Sequence, residues 1–511
     1  MKKTKRTLLV YILCVLFLLL CGCGKSLADI PVKNSGKEQK SNAEEAVLPD
    51  INKIDSIKIA YNNTDSLSPY LATSTVNINI MPLIYDSLVK TDRQYEIKNL
   101  LAEKIDLTKE QCSVKIRSGI TFSDGSPLTP ADVVYSATQV MAGESAYQGL
   151  LSNVTEVTAA EDGTIIFKLK APDRLFANLL TFPIVCESVP NVGSGRFVLK
   201  GSGESTQLVP NPLWFGQSNE KIKKIELINQ LDKETLIYSL KLGTINYAYS
   251  DLSGNEALAL GISTQAVPLN NLVYLGINST SKLLSDIKMR EAINVCLNRP
   301  QLAEGAYAAR ATAAYTPFNP AIPGIAALDI KRQSYTEATA LMTQLGYKSE
   351  EKDSDGYYTT KTNRLSLRIL VNKDNLCRMQ LAADIQRQLK ELGIQIIIDA
   401  RSFDEYKAAL TKWDFDLYIA EVKLYNNRDI TFLLSGKSSL GFGAANNDAL
   451  MAANAALMAG DTDEKSFLTE FDNTLPFLPL LYRSGMVAFS REVTFERTAT
   501  EQDIFYNIEN W

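Results

Sequence analysis

The sequence predicts an α/β body of more than one lobe, carried behind an N-terminal leader. Three observations lead there. The chain has 511 residues, and single hydrophobic cores stop growing near ~250–300 residues. Beyond about residue 54, short β-branched and aromatic runs alternate with amphipathic helical stretches, the pattern of an α/β lobe. The composition, 45% hydrophobic and 22% charged, is that of an average globular protein. No repeat of solenoid length is visible.

The leader comes first. Lys2, Lys3, Lys5 and Arg6 precede an apolar run over residues 8–20, the basic and hydrophobic regions of an export signal. The run falls short of the roughly twenty residues needed to span a bilayer as a helix. Leu20-Cys-Gly-Cys23 reads as a bacterial lipobox with cleavage before Cys23, whose acylation would anchor the chain to the membrane. An ordinary secretion signal with an incidental Cys23 is the alternative. The stretch to residue 53, rich in Ser, Lys, Glu, Asn and Gly, lacks the apolar content to fold and is expected to be a tether. No later segment is long and apolar enough to cross a membrane.

Charge and residue usage exclude several classes. The formal net charge is −5, and removal of the four cations in residues 1–22 takes it to −9. Such a surface lacks the basic footprint of nucleic-acid binding. Cys112, Cys186, Cys296 and Cys377 remain in the body without any C-x-x-C spacing; they are either disulfide partners in one of three connectivities or small buried apolar residues. The chain contains no His, which removes Ser-His and Cys-His nucleophile systems and His-based zinc sites. No metal site and no cofactor are expected.

Through the body, Ile57, Ile59 and Tyr61 alternate as a first strand, ending at the polar loop Asn62-Asn-Thr-Asp-Ser-Leu-Ser-Pro69. The densest local instructions lie in residues 116–136. Val114, Ile116, Ile120 and Phe122 read as a strand interrupted at Ser118-Gly119, and Ser123-Asp-Gly-Ser-Pro127 is turn chemistry. Thr129 is a good N-cap, Pro130 suits the first helical position, and Asp132 places a carboxylate in the first turn. Strands follow at 164–169, 225–228 and 272–278, and a helix over about 232–242 is stopped by Gly243. A helix is expected at 288–299, a strand at 365–371, and a helix from about Cys377 to Leu392 with Gly393 as its cap. The strand 394–398, the helix 403–412 and the run Trp413-Asp-Phe-Asp-Leu-Tyr-Ile-Ala420 complete the pattern.

The segment 116–136 resembles the best-known block of the family 5 extracellular solute-binding proteins, the peptide- and nickel-binding receptors of ABC importers. Tyr85-Asp-Ser-Leu88, the apolar segment 175–184 and the helix at 288–299 are similar to further family segments in the same order. Gly193-Ser-Gly-Arg-Phe197 departs from the family's usual Gly-Thr-Gly-Pro-Tyr while keeping the glycine spacing and the final aromatic. It lacks the Lys-Ser/Thr of a phosphate-binding loop and reads as a backbone turn. The resemblance implies a periplasmic-binding-protein-like α/β fold of class II type: two lobes, an inserted extra domain and a two-strand hinge. It places domain I at 54–83, 191–275 and 486–511, domain II at 84–190 as an insert in the first lobe, and domain III at 276–485 as the second lobe.

It also implies a site. In peptide-binding relatives an acidic residue just after the strand near 413–420 holds the ligand's amino group, and the adjoining strand backbone pairs with the peptide. Glu421 occupies that place, Asp429 is the second candidate, and Ile419 lies on the pairing strand. A carboxylate desolvated in a closed cleft needs a ligand cation; an ion pair of Glu421 with Lys423 or Arg428 at the surface is the bland alternative. Tyr418 and Tyr274 are candidate aromatic walls or strand core. Asp65 and Ser66 are candidate cleft-floor groups or turn caps. Arg378 is a candidate clamp for a ligand carboxylate or an exposed helix Arg.

The function implied is capture of a solute, a short peptide first, by a monomer lipid-anchored at the extracytoplasmic face, for delivery to ABC permease subunits and their ATPases. It is not expected to be an enzyme. A peptidoglycan- or sugar-processing enzyme and a ligand sensor on the same body remain open alternatives. Ser87-Leu-Val-Lys90 and Ser279-Thr-Ser-Lys282 both satisfy Ser-x-x-Lys, but the companion Ser-Asp-Asn and Lys-Thr-Gly elements are absent.

Overall fold

In the computed structural model, the described residues are 55–511 apart from 190, 217–220, 231–232, 254–261, 329, 331, 361–362, 491–492 and 494–497. The signal, the tether and Cys23 lie outside them. One 11-stranded mixed sheet runs through both lobes. Ser56–Tyr61 pairs in parallel with Lys224–Asn229, and Ser366–Asn372 pairs in parallel with Gln395–Arg401 at the opposite end. The two halves are joined by the long antiparallel strands Ser263–Ile277 and Phe477–Phe489. These two strands are the hinge. Their ladder is broken where Leu269, Asn270 and Asn271 face Arg483 alone, because register steps from Pro268–Ser484 to Leu272–Tyr482. Such a bulge bends the strand and frees backbone groups for other partners.

A separate four-stranded antiparallel sheet, Ala102–Leu107, Gln111–Ile116, Ile165–Leu169 and Val154–Ala159, packs against the helix Pro130–Met141. The apolar residues sort into clusters that follow this division. Ile57, Tyr247, Phe505 and Trp511 belong to one, Phe122, Phe167 and Phe182 to a second, and Tyr274, Tyr418 and Phe477 to the largest.

The segment 116–136 folds as its residue types dictate, with one difference. The strand stops at Ile116, and Ile120 and Phe122 instead fill the core from a tight loop in which the Leu128 N–H donates to the Ile120 carbonyl at 3.0 Å. Gly125 takes φ +90°, and the Asp124 carboxylate accepts from the Ser126 N–H at 2.9 Å. Asp132 reaches back to the Thr129 N–H at 2.8 Å and also accepts from the Glu187 N–H at 2.9 Å, tying the helix start to the end of the insert. Further along, the helix expected at 288–299 is two helices, Ile287–Cys296 and Arg299–Tyr307. Pro300 has no N–H to continue the first, and it sits in the opening turn of the second. Leu376–Leu392 ends at Gly393 in the left-handed conformation, as expected. All four body cysteines are free, and three of them are buried.

Candidate functional site

Gly193 and Gly195 let the chain pass against the first lobe. A Cβ on either would lie 2.1 Å and 2.5 Å from Ile84 backbone atoms, and the Gly195 N–H donates to the Ile84 carbonyl at 2.8 Å. This close approach sets Ser194 and Arg196 beside Asp86, whose carboxylate accepts from the Ser194 hydroxyl at 3.2 Å. The same corner opens onto a cavity of ≈ 420 Å³ bounded by the first lobe, the insert and the second lobe. Asp86, Lys90, Arg196, Lys423, Tyr425, Glu501 and Asp503 reach its wall.

The charges of this chamber are unevenly matched. Arg196 pairs with Glu509 at 2.6 Å, and Lys423 pairs with Glu501 at 2.9 Å across the lobes. Glu501 also accepts the Asn270 N–H from the hinge bulge at 2.8 Å. Lys90, Asp86 and Asp503 take part in no ion pair among the described residues. Lys90 Nζ lies 3.4 Å from the Asn507 side-chain oxygen and 4.9 Å from the centre of the Tyr506 ring. Burial, then the neighbouring Arg196, holds its ammonium below the ordinary lysine range. Burial pushes Asp86 up to about 7 against the pull of Arg196 and Ser194, and burial also raises Asp503. The chamber therefore holds a cation and two carboxyls for which loss of water outweighs the pull of opposite charges that stand beyond ion-pair distance.

A second cavity of ≈ 480 Å³ lies between the insert and the second lobe, with Asp173, Asn427, Asp429 and Asn454 on its wall. Tyr425 stands between the two spaces. Its hydroxyl donates to the Gln148 carbonyl at 3.1 Å, above Gly149, where a Cβ would fall 2.1 Å from that hydroxyl oxygen.

The residues singled out in the sequence sit mostly elsewhere. Glu421 is neither a cleft carboxylate nor a surface partner of Lys423 or Arg428. Its side chain is 10% exposed, and it accepts from Arg483 Nε at 2.7 Å, Arg378 Nη2 at 3.2 Å and Asn271 Nδ2 at 2.7 Å. Burial would raise its pKa, but Arg483 and Arg378 win and hold it below the ordinary glutamate range. Arg378 is thereby committed to Glu421 rather than to a ligand carboxylate, and it is not an exposed helix Arg.

Tyr418, Ile419 and Tyr274 are buried in the second-lobe core and do not line the chamber. Tyr274 and Tyr418 meet edge to face with ring centres 5.9 Å apart, and the Ile419 strand is paired on both sides by protein. Asp65 caps its own loop: it accepts from the Ser74 N–H at 2.7 Å and the Ser74 hydroxyl at 2.6 Å. Slight burial pushes its pKa up, but these bonds with those from Thr73 bring it to about 2. Ser66 accepts from the Ser68 N–H at 2.9 Å, a turn role. Asp429 does reach a cavity, the second one, while accepting from Thr431 N–H at 2.9 Å.

Two features of the sequence mark the chamber wall. Arg196 stands where the resembled pattern carries Pro, so a departure from that pattern marked the wall. Lys90 and Ser87 form one of the two Ser-x-x-Lys spacings. Both line the chamber, but the Ser87 hydroxyl donates to the Val89 carbonyl at 2.6 Å. In the other such spacing, Ser279 donates to Gly443 O at 2.8 Å.

Comparison with known proteins bears on what this chamber serves. The family described as bacterial extracellular solute-binding proteins, family 5 Middle, matches residues 96–443. Oligopeptide-binding protein AppA of Bacillus subtilis is 24% identical over 566 residues, covering 100% of this chain and 99% of that protein. Glutathione-binding protein GsiB of Escherichia coli K12 is 25% identical over 362 residues, 66% of this chain and 68% of GsiB. Among solved structures, the periplasmic murein tripeptide binding protein MppA in its unliganded open form superimposes with TM-score 0.72 at 18% identity, over 86% of this chain and 93% of that one. A nickel ABC transporter protein from Bacillus halodurans gives TM-score 0.72 at 20% identity, over 88% and 98%. The likeness to these two structures is one of fold.

Proposed function

The chain belongs to the bacterial extracellular solute-binding proteins of family 5, the substrate-binding components of ABC importers, and from that premise we propose that it captures a short peptide in the chamber between its lobes. One observation carries the choice of ligand. Lys90 faces the same ≈ 420 Å³ cavity as Asp86 and Asp503, and none of the three has an ion-pair partner among the described residues. A zwitterion restores what burial removed from both signs: a carboxylate at Lys90, and an ammonium at Asp86 or Asp503. Names of relatives point the same way, since AppA is an oligopeptide-binding and GsiB a glutathione-binding protein. Nickel, which other members carry, is disfavoured as a directly ligated ion by the lack of any His in the chain.

The division into domains I, II and III is part of the same reading, supported by two apolar clusters, one of residues 88–186 and one of residues 272–482 that Tyr95 alone joins from the insert. So is the lipid anchor, supported by Leu20-Cys-Gly-Cys23 after a basic and apolar leader. Closure of the lobes presents the loaded receptor to the permease. Native mass spectrometry of protein purified from its own cells tests the ligand class. Release of short peptides is the expected result; release of a metal chelate or a sugar would overturn it.

A further inference from the structure

Away from the hinge, the insert and the second lobe are fastened to each other by groups that do not face the ligand chamber. Asp173, 2% exposed, accepts the Asn427 side-chain amide at 2.8 Å and the Leu175 N–H at 3.1 Å. The next residue, Arg174, donates its backbone N–H to the Met458 carbonyl at 2.8 Å. Its guanidinium lies 2.5 Å from Glu464, whose same oxygen also receives Arg428 at 2.6 Å. Asp173 and Arg174 come from the insert; Asn427, Arg428, Met458 and Glu464 come from the second lobe. None of these six lines the first cavity.

Separation of the lobes has to break each of these bonds at once. Asp173 and Asn427 are buried, so breaking their bond also returns two polar side chains to water. Arg428 already balances Glu464 from within the second lobe, and Arg174 adds the bond that crosses. The apparent affinity of a receptor that closes on its ligand is its intrinsic affinity scaled by the closed fraction. Contacts made only when the lobes meet raise that fraction wherever they lie.

We propose that the Asp173–Asn427 and Arg174–Glu464 pairs form a latch that sets the closed population, and hence ligand affinity, without touching the ligand. This rests on the reading above that closure accompanies capture. Each pair is a hydrogen bond with a charged partner and contributes about tenfold to the ratio of closed to open molecules. Because Arg174 is 25% exposed, its share is sensitive to salt.

The test compares wild type with Arg174→Gln and Asn427→Ala, using small-angle scattering of the purified proteins and calorimetric titration with trialanine. Both variants are expected to show a larger radius of gyration and trialanine binding weakened by a factor between about two and ten, the smaller the more closed the free wild type is. Affinity of the wild type should fall from low to high salt, and that of Arg174→Gln should fall less. An unchanged thermal midpoint in Arg174→Gln separates this from a folding defect, and that variant alone suffices if Asn427→Ala does not fold. Scattering identical to wild type in Arg174→Gln would overturn the latch, whatever happens to trialanine. A larger radius of gyration with no trialanine binding by any of the proteins would support the latch and remove the peptide reading instead.

Discussion

Replacement of Glu421 by Gln tests whether this carboxylate is a strut or a ligand contact. Glu421 lies between two guanidiniums, those of Arg483, 5% exposed, and Arg378, 17% exposed. Gln keeps the length of the side chain and an oxygen for Asn271, so the change removes charge with little change of shape. Two nearly buried cations are then left facing each other, a situation that costs about 3–5 kcal/mol when a buried pair is broken from one side. With a urea m-value of about 2 kcal/mol/M, that is a fall of roughly 1.5–2.5 M in the unfolding midpoint. Fluorescence of Trp413, which packs against the second-lobe core, is the natural probe. The pH dependence supplies a second signature. Glu421 titrates below its ordinary value in the folded protein, so its contribution is present above the unfolded glutamate range and is lost as pH falls through the folded value. The variant should lack that acid-side loss. Affinity for the solute should change only as far as the hinge is loosened. A variant with wild-type stability and no ligand capture would refute the assignment and return Glu421 to the site.

The other expectations concern the chamber and the loop at Gly125. Lys90→Met should weaken peptide binding by about 30-fold or more, since it removes one partner of a desolvated charge pair. The same variant should discriminate little between a free and an amidated peptide C-terminus, and equal losses for both peptides would place the carboxylate elsewhere. Asp86→Asn should be more stable than wild type at pH 8, because the rise from 3.8 to about 7 corresponds to roughly 4 kcal/mol. That advantage should shrink toward zero as pH falls toward the unfolded carboxyl range, because a raised acid is favourable when protonated and its contribution is lost as pH rises through the folded value. Urea unfolding across this pH range measures both. At Gly125 an added Cβ meets no atom within 4 Å, and the backbone has φ +90°, so Gly125→Val should cost at least about 1–2 kcal/mol for that conformation; it should lower the melting temperature and leave affinity alone.

Much of the fold was legible because its instructions are local. Thr129-Pro130 and Asp132 start a helix by satisfying its own first turn, and Gly393 stops one by taking a conformation that other residues resist. These devices act over a few residues and leave a trace in the text of the chain. Buried partnership leaves none. Glu421 and Arg483 are 62 residues apart in sequence, and Asp86 meets Ser194 across 108. The strand Leu417–Lys423 and the strand Phe477–Phe489 pair on opposite sides of Ser263–Ile277, and these two registers together bring Arg483 beside Glu421; nothing in either neighbourhood announces it. The resemblance pointed to the strand ending near Glu421, where the structure places a carboxylate bound to Arg483, Arg378 and Asn271 and off the chamber wall. Tyr425, four residues on, reaches the chamber instead, since the chain leaves the sheet after Lys423. The helix expected as one piece at 288–299 fails for a plainer reason: the apolar period continues through Leu297, but Pro300 cannot.

The site and the hinge are joined by the same few residues, and this constrains how a ligand can drive closure. A sheet that runs unbroken through both lobes resists bending wherever its ladder is regular, because each bend there strains paired backbone groups. Leu269–Asn271 opposite Arg483 is the wider of two places where the ladder is already interrupted, the other being the one-residue step at Val273–Tyr274, so rotation there breaks few bonds. The groups released by the bulge are not idle. The Asn270 N–H goes to Glu501, and the Asn270 side chain goes to the Leu424 carbonyl at 3.1 Å. Glu501 and Leu424 both face the chamber. The bulge is thereby tied to Glu501 and, through it, to Lys423, the cross-lobe pair at the chamber wall. Arg483 holds the opposite strand at the same level, bound to Glu421 on one side and to the Asp251 carbonyl at 2.6 Å on the other. The buried network around Glu421 thus fastens the strand opposite the bulge to the strand Leu417–Lys423 and to the Asp251 carbonyl, which leaves the bulge as the less constrained side at this level.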